Sequence, residues 1–477
     1  MSKKKKTIEE LLDEAVVTGQ EHQYEIPKNW VWTKLGKIAN YYNGKAFKST
    51  DWSKEGRPII RIQDLTGTNK GEPNYFGGQV AEKHEITEGD LLISWSATLG
   101  VYRWTGPDAV LNQHIFKVES FIDKKYHYYA MQSIIASLYN QTHGSGMVHV
   151  TKKVFDETPF PLPNLNEQKR IAEKMERLLS KIDEAKQLID EAKEKFELRR
   201  AAILNKAFRG ELTKKWRKIN PNVVDAETLY SKIKESEVGK RKKTKGINNN
   251  ELRYDIPSTW KWVRLRDIFS ITSGGTPKRS ESKYYEGDIP WIKTGEVRWN
   301  RIYDSKEKIT IEAIANSSAK LLPINTVLVA MYGQGLTRGR ASILGIEATC
   351  NQAVCALLPN EYILPEYLFY YFMEGYQRFR QIAKGGNQEN LSATMISDFL
   401  FPLPPVEEQS AIIDILGSIF NGESKVNEII DLQKNVDELK QSILSKAFRG
   451  ELGTNDPSEE NAIELLKEVL LEQVKES

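Results

Sequence analysis

Residues 203–212 read ILNKAFRGEL and residues 443–452 read ILSKAFRGEL: ten residues written twice, with Asn205 exchanged for Ser445. A repeat has to be settled before any motif, because each copy is then one structural unit and the two copies share a core plan. Working outward, earlier landmarks return in the same order. Residues 161–168 (PLPNLNEQ) come back as 402–409 (PLPPVEEQ), Asn112-Gln113 as Asn351-Gln352, and residues 24–32 (YEIPKNWVW) as 254–262 (YDIPSTWKW). The offset is 230 residues at the openings (24 to 254) and 240 at the closing stretch (203 to 443). The stretches between landmarks differ in length and almost wholly in sequence. The halves share a frame and differ in content.

Each half reads as a globular part followed by a long helix. In residues 164–210 the apolar positions Ile171, Met175, Leu178, Ile182, Ala185, Ile189, Ala192, Phe196 and Ile203 keep a 4-3-4-3 rhythm, the seam of a coiled coil. Asn164 caps its start, Glu167 completes a capping box, and Gly210 ends it. Residues 405–450 predict a second helix over 407–448, which runs through Ile412, Leu416, Ile419 and Val426. It slips by three residues and resumes at Ile429, Leu432, Val436, Leu439 and Ile443. A lone helix with an apolar seam needs a partner, and the other copy supplies one. The expected architecture is α+β: two globular domains, residues 24–163 and 254–404, joined by two long antiparallel coiled-coil helices with pseudo-twofold internal symmetry. Pairing with the helices of a second chain is the alternative.

The globular parts carry short β-like runs (58–63, 91–95, 326–331) and one aromatic helix each, over 126–139 and 366–378. Residues 1–23 form an N-terminal helical segment, and 451–477 a C-terminal one with an amphipathic stretch at 461–473. Between the halves, residues 211–253 hold an amphipathic helix (225–236) and a basic linker, GKRKKTKGINNN, at 239–250.

Composition excludes several classes. With 477 residues, a net charge of +3, and 28% charged and 40% hydrophobic residues, the chain is ordinary for a globular protein of several domains. No apolar run of about 18 residues is present to span a membrane, and the acidic, amphipathic residues 7–17 break the pattern of a secretory signal. Cys350 and Cys355, read as two positions of one strand facing opposite ways, argue for buried free thiols in a reducing cytoplasm. No metal-ligand set and no cofactor are expected. The chain has no G-x-x-x-x-G-K-[ST] phosphate loop. It has no Asn/Asp-Pro-Pro-aromatic motif either; its Pro404-Pro405 is flanked by Leu403 and Val406.

Side chains that read DNA do gather in glycine-containing loops near aromatics. In the first half the candidates are Lys45, Lys48, Arg61, Gln63, Ser145, His149 and Lys152. In the second they are Thr276, Lys278, Arg279, Gln334, Arg338, Arg340, Asn387 and Gln388.

The doubled P-L-P…E-Q helix entry, the doubled K-A-F-R-G-E-L exit, the I-P-x-x-W openings (26–30 and 256–260) and Gly274-Gly275-Thr276-Pro277 resemble the specificity subunits of type I restriction–modification enzymes, over nearly the whole chain. The resemblance implies two target recognition domains that bind double-stranded DNA, each reading half of a split site. The helices would act as spacer and dock two methyltransferase subunits, restriction subunits would complete the complex, and the chain itself would be non-catalytic, in the cytoplasm of a bacterium or archaeon. Phe208, Arg209, Phe448 and Arg449 at the helix exits are the implied docking candidates. Two dissimilar domains imply an asymmetric site, since direct readout needs different side chains for different bases. Gly453-Thr454 closes the second repeat where Thr213 and Trp216 continue the first, which implies a shortened carboxyl-terminal dock. Asn43-Gly44-Lys45-Ala46 replaces the Gly-Gly-Thr-Pro run in the first half, leaving the equivalence of those loops open. A coiled-coil scaffold for protein partners and a fused DNA methyltransferase are the competing readings.

Overall fold

A computed structural model describes residues 6–18, 24–141, 151–235, 246–333, 336–382, 390–421 and 425–476. The chain divides into two compact units. The first is built from Met1–Ile189 with Ile430–Ser477, the second from Asp190–Ile429. The long helix Leu165–Phe208 is continuous and contributes to both. At about 1.5 Å per residue it runs roughly 66 Å.

The two globular parts share a strand order over their matched strands and differ at the sheet edges. In the first unit a four-stranded sheet has the order Ala39–Asn43, Ile115–Ser120, Leu91–Ser94, Gly100–Arg103. A second sheet orders Tyr75–Phe76, Arg57–Ile60, Ala109–Leu111, Glu85–Ile86. The second unit repeats the first plan as Ile271–Ser273, Val354–Leu357, Val327–Ala330, Ala341–Leu344, with Arg301–Ile302 added at the edge. Its smaller sheet orders Lys308–Ile309, Ile289–Ile292, Thr349–Cys350. Antiparallel and parallel pairs mix, as Ile59 beside Val110 and Trp291 beside Thr349 show for the parallel ones. The architecture is therefore mixed α and β, as expected. Cys350 and Cys355 sit on two different strands, both buried. A turn at 351–353 intervenes where one continuous strand was expected, and burial pushes the Cys350 thiol up to about 12.

The repeated motifs converge. The opening strand Val31–Lys34 pairs antiparallel with Pro159–Leu162, setting Trp32 opposite Pro161; Lys261–Arg264 pairs in the same way with Leu400–Leu403, setting Trp262 opposite Pro402. The aromatic helices are longer than the sequence pattern suggests, Lys124–Gln141 and Pro365–Ile382. Each ties its first turn to the neighbouring strand: Tyr126 Oη donates to the Pro161 carbonyl (2.7 Å) and Tyr367 Oη to that of Pro402 (2.9 Å). The E-Q glutamines hold the same corner. Gln168 donates to the Pro163 carbonyl and accepts from the Asp123 amide, while Gln409 donates to Pro404 and accepts from Leu364.

Each unit is closed by the helix exit belonging to the other half of the sequence. In the first unit Ile443, Leu444, Ala447 and Phe448 enter the core beside Tyr126, Phe160, Ile171 and Met175. In the second, Leu204, Ala207 and Phe208 do so beside Tyr367, Phe401, Ile412 and Leu416. Gly210 and Gly450 have φ near +71° and +73°, and a Cβ at either would run into the ring of Pro257 or Pro27 of the I-P-x-x-W opening. Within the first unit the helices run antiparallel. Thr454 meets Glu167, the Leu452 carbonyl meets Lys174, and Asp437 meets Lys186.

Asn164 caps the first helix through the Glu167 amide (2.9 Å), as expected. The capping box does not form. The Glu167 carboxylate is fully buried and turns to Thr454 and Arg170, because burying a carboxylate requires donors and a counter-charge that the cap backbone alone does not supply. The second helical stretch is described as Val406–Asn421 and Lys425–Phe448; residues 422–424 and the side chains through 431, where the three-residue slip was read, lie outside the described residues.

Candidate nucleic-acid interface

The two glycine loops prove equivalent. In the first unit the Gly44 amide donates to the Ile115 carbonyl and that of Lys45 to Leu111; in the second, Gly274 donates to Val354 and Gly275 to Cys350. Both loops thus cross the Asn-Gln turn in one register, and only glycine fits at the crossing. A Cβ at Gly44 would lie 2.0 Å from the Asn112 carbonyl oxygen, and one at Gly274 2.1 Å from that of Cys350.

Beyond the crossing, cations lie over aromatic rings. Lys45 Nζ is 4.7 Å from the Phe76 ring and 5.2 Å from Phe47, and the Arg61 guanidinium is 5.0 Å from Trp52. Lys48 and Gln63 are exposed. In the second unit Arg279 stacks on Tyr285 (4.3 Å) and Trp291 (4.9 Å), and the buried Trp291 donates to the Gly275 carbonyl. Tyr285 Oη donates to Pro277, so the 275–279 loop is fastened from beneath. Lys278 and Thr276 stand exposed, and Thr276 Oγ1 donates to Gln352 Oε1.

Lys293 follows its strand as Arg61 follows the corresponding one; each opens a tight turn whose backbone amide is held by an acid three residues on. Both Lys293 and Arg279 bind Glu307. Burial, and then the nearby Arg279, hold the Lys293 ammonium below its usual range. Sequence reading missed Lys293, because only the matched strand positions reveal it as the counterpart of Arg61.

Lys152 is exposed near Tyr41 and Phe116 and pairs with Asp156. Two arginines take other positions than an outer loop would give them. Arg338 is only 6% exposed, and its carbonyl accepts from Arg380. Arg340 lines a cavity of about 530 Å³ with Glu194, Arg200, Trp299 and Met373, between the long helix and the globular part of that unit. Ser145, His149, Gln334, Asn387 and Gln388 lie outside the described residues. Among the described residues no cluster of His, Cys, Asp and Glu could hold a metal ion, and no helix is long and apolar enough to cross a membrane.

The family model for the type I restriction modification DNA specificity domain matches twice, over residues 27–194 and 257–433, which together make up more than half of the chain. The chain belongs to this DNA specificity family. Among its relatives, the type I restriction enzyme EcoBI specificity subunit of Escherichia coli is 27% identical over 446 residues, covering 90% of this chain and 87% of that protein. The MjaVIII specificity subunit of Methanocaldococcus jannaschii is 25% identical and covers 90% and 95% respectively. A solved structure, described as the structural basis of complex assembly and conformational transition of the type I R-M system, shares the fold. Its TM-score is 0.64 at 19% identity, covering 90% of this chain and all of the other.

The structure divides the four docking candidates at the helix exits. Phe208 and Phe448 are buried, at 0% and 2% exposure, against Tyr367 and Tyr371 in one unit and Tyr126 in the other. Their rings complete the chain's own cores and present no surface to a partner, which corrects their place as docking residues. Arg209 and Arg449 remain exposed, stacked 4.8 Å from Tyr254 and 5.0 Å from Tyr24.

Proposed function

We propose that this chain reads a bipartite, asymmetric DNA sequence within a type I restriction–modification complex, in the cytoplasm of a bacterium or archaeon. Its role is recognition rather than catalysis. Residues 24–163 and 254–404 are the two target recognition domains, and residues 164–210 with 405–450 form the antiparallel spacer. Two methyltransferase subunits, joined by restriction subunits, dock on the helices and the segments beside them.

The observation that carries this reading is the doubled family match around two globular parts with a shared strand order and different loops. A shared scaffold with divergent loops suits a protein that must present two different reading surfaces at a fixed separation. The methyltransferase or scaffold alternatives gain no support from any motif or site described above.

Genome-wide mapping of methylated adenines in cells with and without the gene tests the reading; loss of one split motif is the expected result. The spacer role has its own test. A matched insertion of seven residues in both helices adds about 10 Å at 1.5 Å per residue. At roughly 3.4 Å per base pair the methylated motif should gain about three base pairs between unchanged half-sites. An active variant that keeps the original spacing would remove the helices from that role.

A further inference from the structure

Asn112-Gln113 and Asn351-Gln352 occupy the same turn in both units, crossed by the same glycine loop. The asparagine side chains turn inward, their Oδ1 atoms buried in both units, while their backbone amides donate to the Ile60 and Ile292 carbonyls (3.0 and 2.9 Å) and join the turn to the neighbouring strand. The glutamines differ. Both are exposed, so core packing does not require them. Gln113 makes no side-chain hydrogen bond among the described residues, and Gln352 makes one, accepting at Oε1 from Thr276 Oγ1. That contact uses the amide oxygen and leaves the Nε2 donors without a protein partner among the described residues. The glycine loops that cross these turns carry cations, Lys45 and Lys48 in one unit and Lys278 and Arg279 in the other, and the Gln113 backbone amide donates to the Lys45 carbonyl (3.0 Å).

An exposed polar residue repeated at one position of two otherwise dissimilar domains does not fit base readout, since different half-sites call for different side chains. What both half-sites present alike is the sugar–phosphate backbone. Resting on the DNA-reading role above, we propose that Gln113 and Gln352 are equivalent positioning contacts. Each donates its side-chain amide to a phosphodiester oxygen and sets the register of its domain on the duplex, without sequence preference.

The test uses the full chain and three duplexes: the methylated motif, the motif with its first half scrambled, and the motif with its second half scrambled, each titrated at several salt concentrations. Gln113→Ala and Gln352→Ala should each weaken binding to all three by about tenfold, the loss of a hydrogen bond to a charged group. The preference for the intact motif should stay, and so should the salt slope, because a neutral side chain releases no counterion. Gln113→Glu and Gln352→Glu keep the size but repel phosphate. They should weaken binding further, with the extra loss shrinking as salt rises. Thermal unfolding at the wild-type midpoint keeps folding out of the comparison. Alanine variants that bind like wild type overturn the proposal. So does a loss confined to the duplexes that keep one half-site intact, which marks base readout of that half, or equal losses for Ala and Glu at every salt, which mark a purely structural turn. If the wild-type chain itself shows no preference for the motif, the specificity reading fails first, and that failure is visible without any variant.

Discussion

Glu167 and Glu408 stand at the same place in the repeat, each fully buried where a long helix begins, and each is neutralised differently. Glu408 is served by the segment after the first helix exit: Thr213 Oγ1 donates at 2.6 Å, Arg217 pairs with it, and the Trp260 indole donates at 2.8 Å. Glu167 also takes a threonine, Thr454 at 2.6 Å, but its arginine is Arg170 from its own helix, and that arginine is shared with Glu459. The Trp30 indole, counterpart of Trp260, turns instead to Asn455. Thr454 lies one residue later in its repeat than Thr213, after Gly453, whose φ of +69° absorbs the extra residue. The repeat preserves the buried acid and its threonine; it leaves the counter-charge free to come from elsewhere. The departure at Gly453-Thr454 is thus a register shift that restores an internal contact.

The largest effects expected test whether the two closures are alike. Phe208→Ala and Phe448→Ala should each cost about 3–5 kcal/mol, the range for an aromatic removed from a packed core. Urea unfolding would show it, and a surface-sized cost at either position would break the parallel. The glutamates should then separate. Glu408→Ala takes the counter-charge from Arg217 and the acceptor from the Trp260 indole, and should cost about 3 kcal/mol or more. Glu167→Ala should cost about 1–2 kcal/mol, because Arg170 keeps Glu459. Equal losses would show that the source of the counter-charge does not matter.

A smaller, pH-dependent difference follows from the first glutamate. Burial, opposed by Thr454 and Arg170 and reinforced by Glu459, raises the Glu167 carboxyl above its ordinary 4.5. A group raised on folding binds its proton more tightly in the folded state. Its stabilising contribution is therefore present below the ordinary value and is lost as pH rises through the folded one. The stability of wild type relative to Glu167→Gln should accordingly increase as pH falls toward 4.5, read from paired thermal melts. A flat difference would count against it. The smallest effects on folding belong to Arg209→Ala and Arg449→Ala, about 0.5–1 kcal/mol for an exposed cation over a ring. Co-purification with the proposed methyltransferase partner is where these two should show, and unchanged retention by the double variant would remove both from the proposed dock.

Local pattern carried far in this chain. The first long helix was legible almost to the residue, because its seam, its Asn164 cap and its Gly210 stop are all encoded within a turn or two of where they act. The short amphipathic helices were legible for the same reason, as Ala226–Glu235 and Ala462–Glu476. Misreadings arose where a residue's partner is distant. Glu167 looked like half of a capping box, and its threonine is 287 residues away. Phe208 and Phe448 were docking candidates through the family resemblance alone, and each is buried in a core. Arg338 looked like a loop cation, and the fold buries it.

By itself the sequence determined the doubled frame, the α and β mixture, the helix termini and the likeness to the specificity family, since periodicity, capping and repetition are properties of neighbouring residues. Only the tertiary structure decided that each half's exit closes the other half's core, that the two glycine loops are equivalent, and that Lys293 answers Arg61. Those facts depend on which faces meet. A buried ring or carboxylate takes whichever partner the packed chain brings within about 3–4 Å, whatever the distance along the sequence.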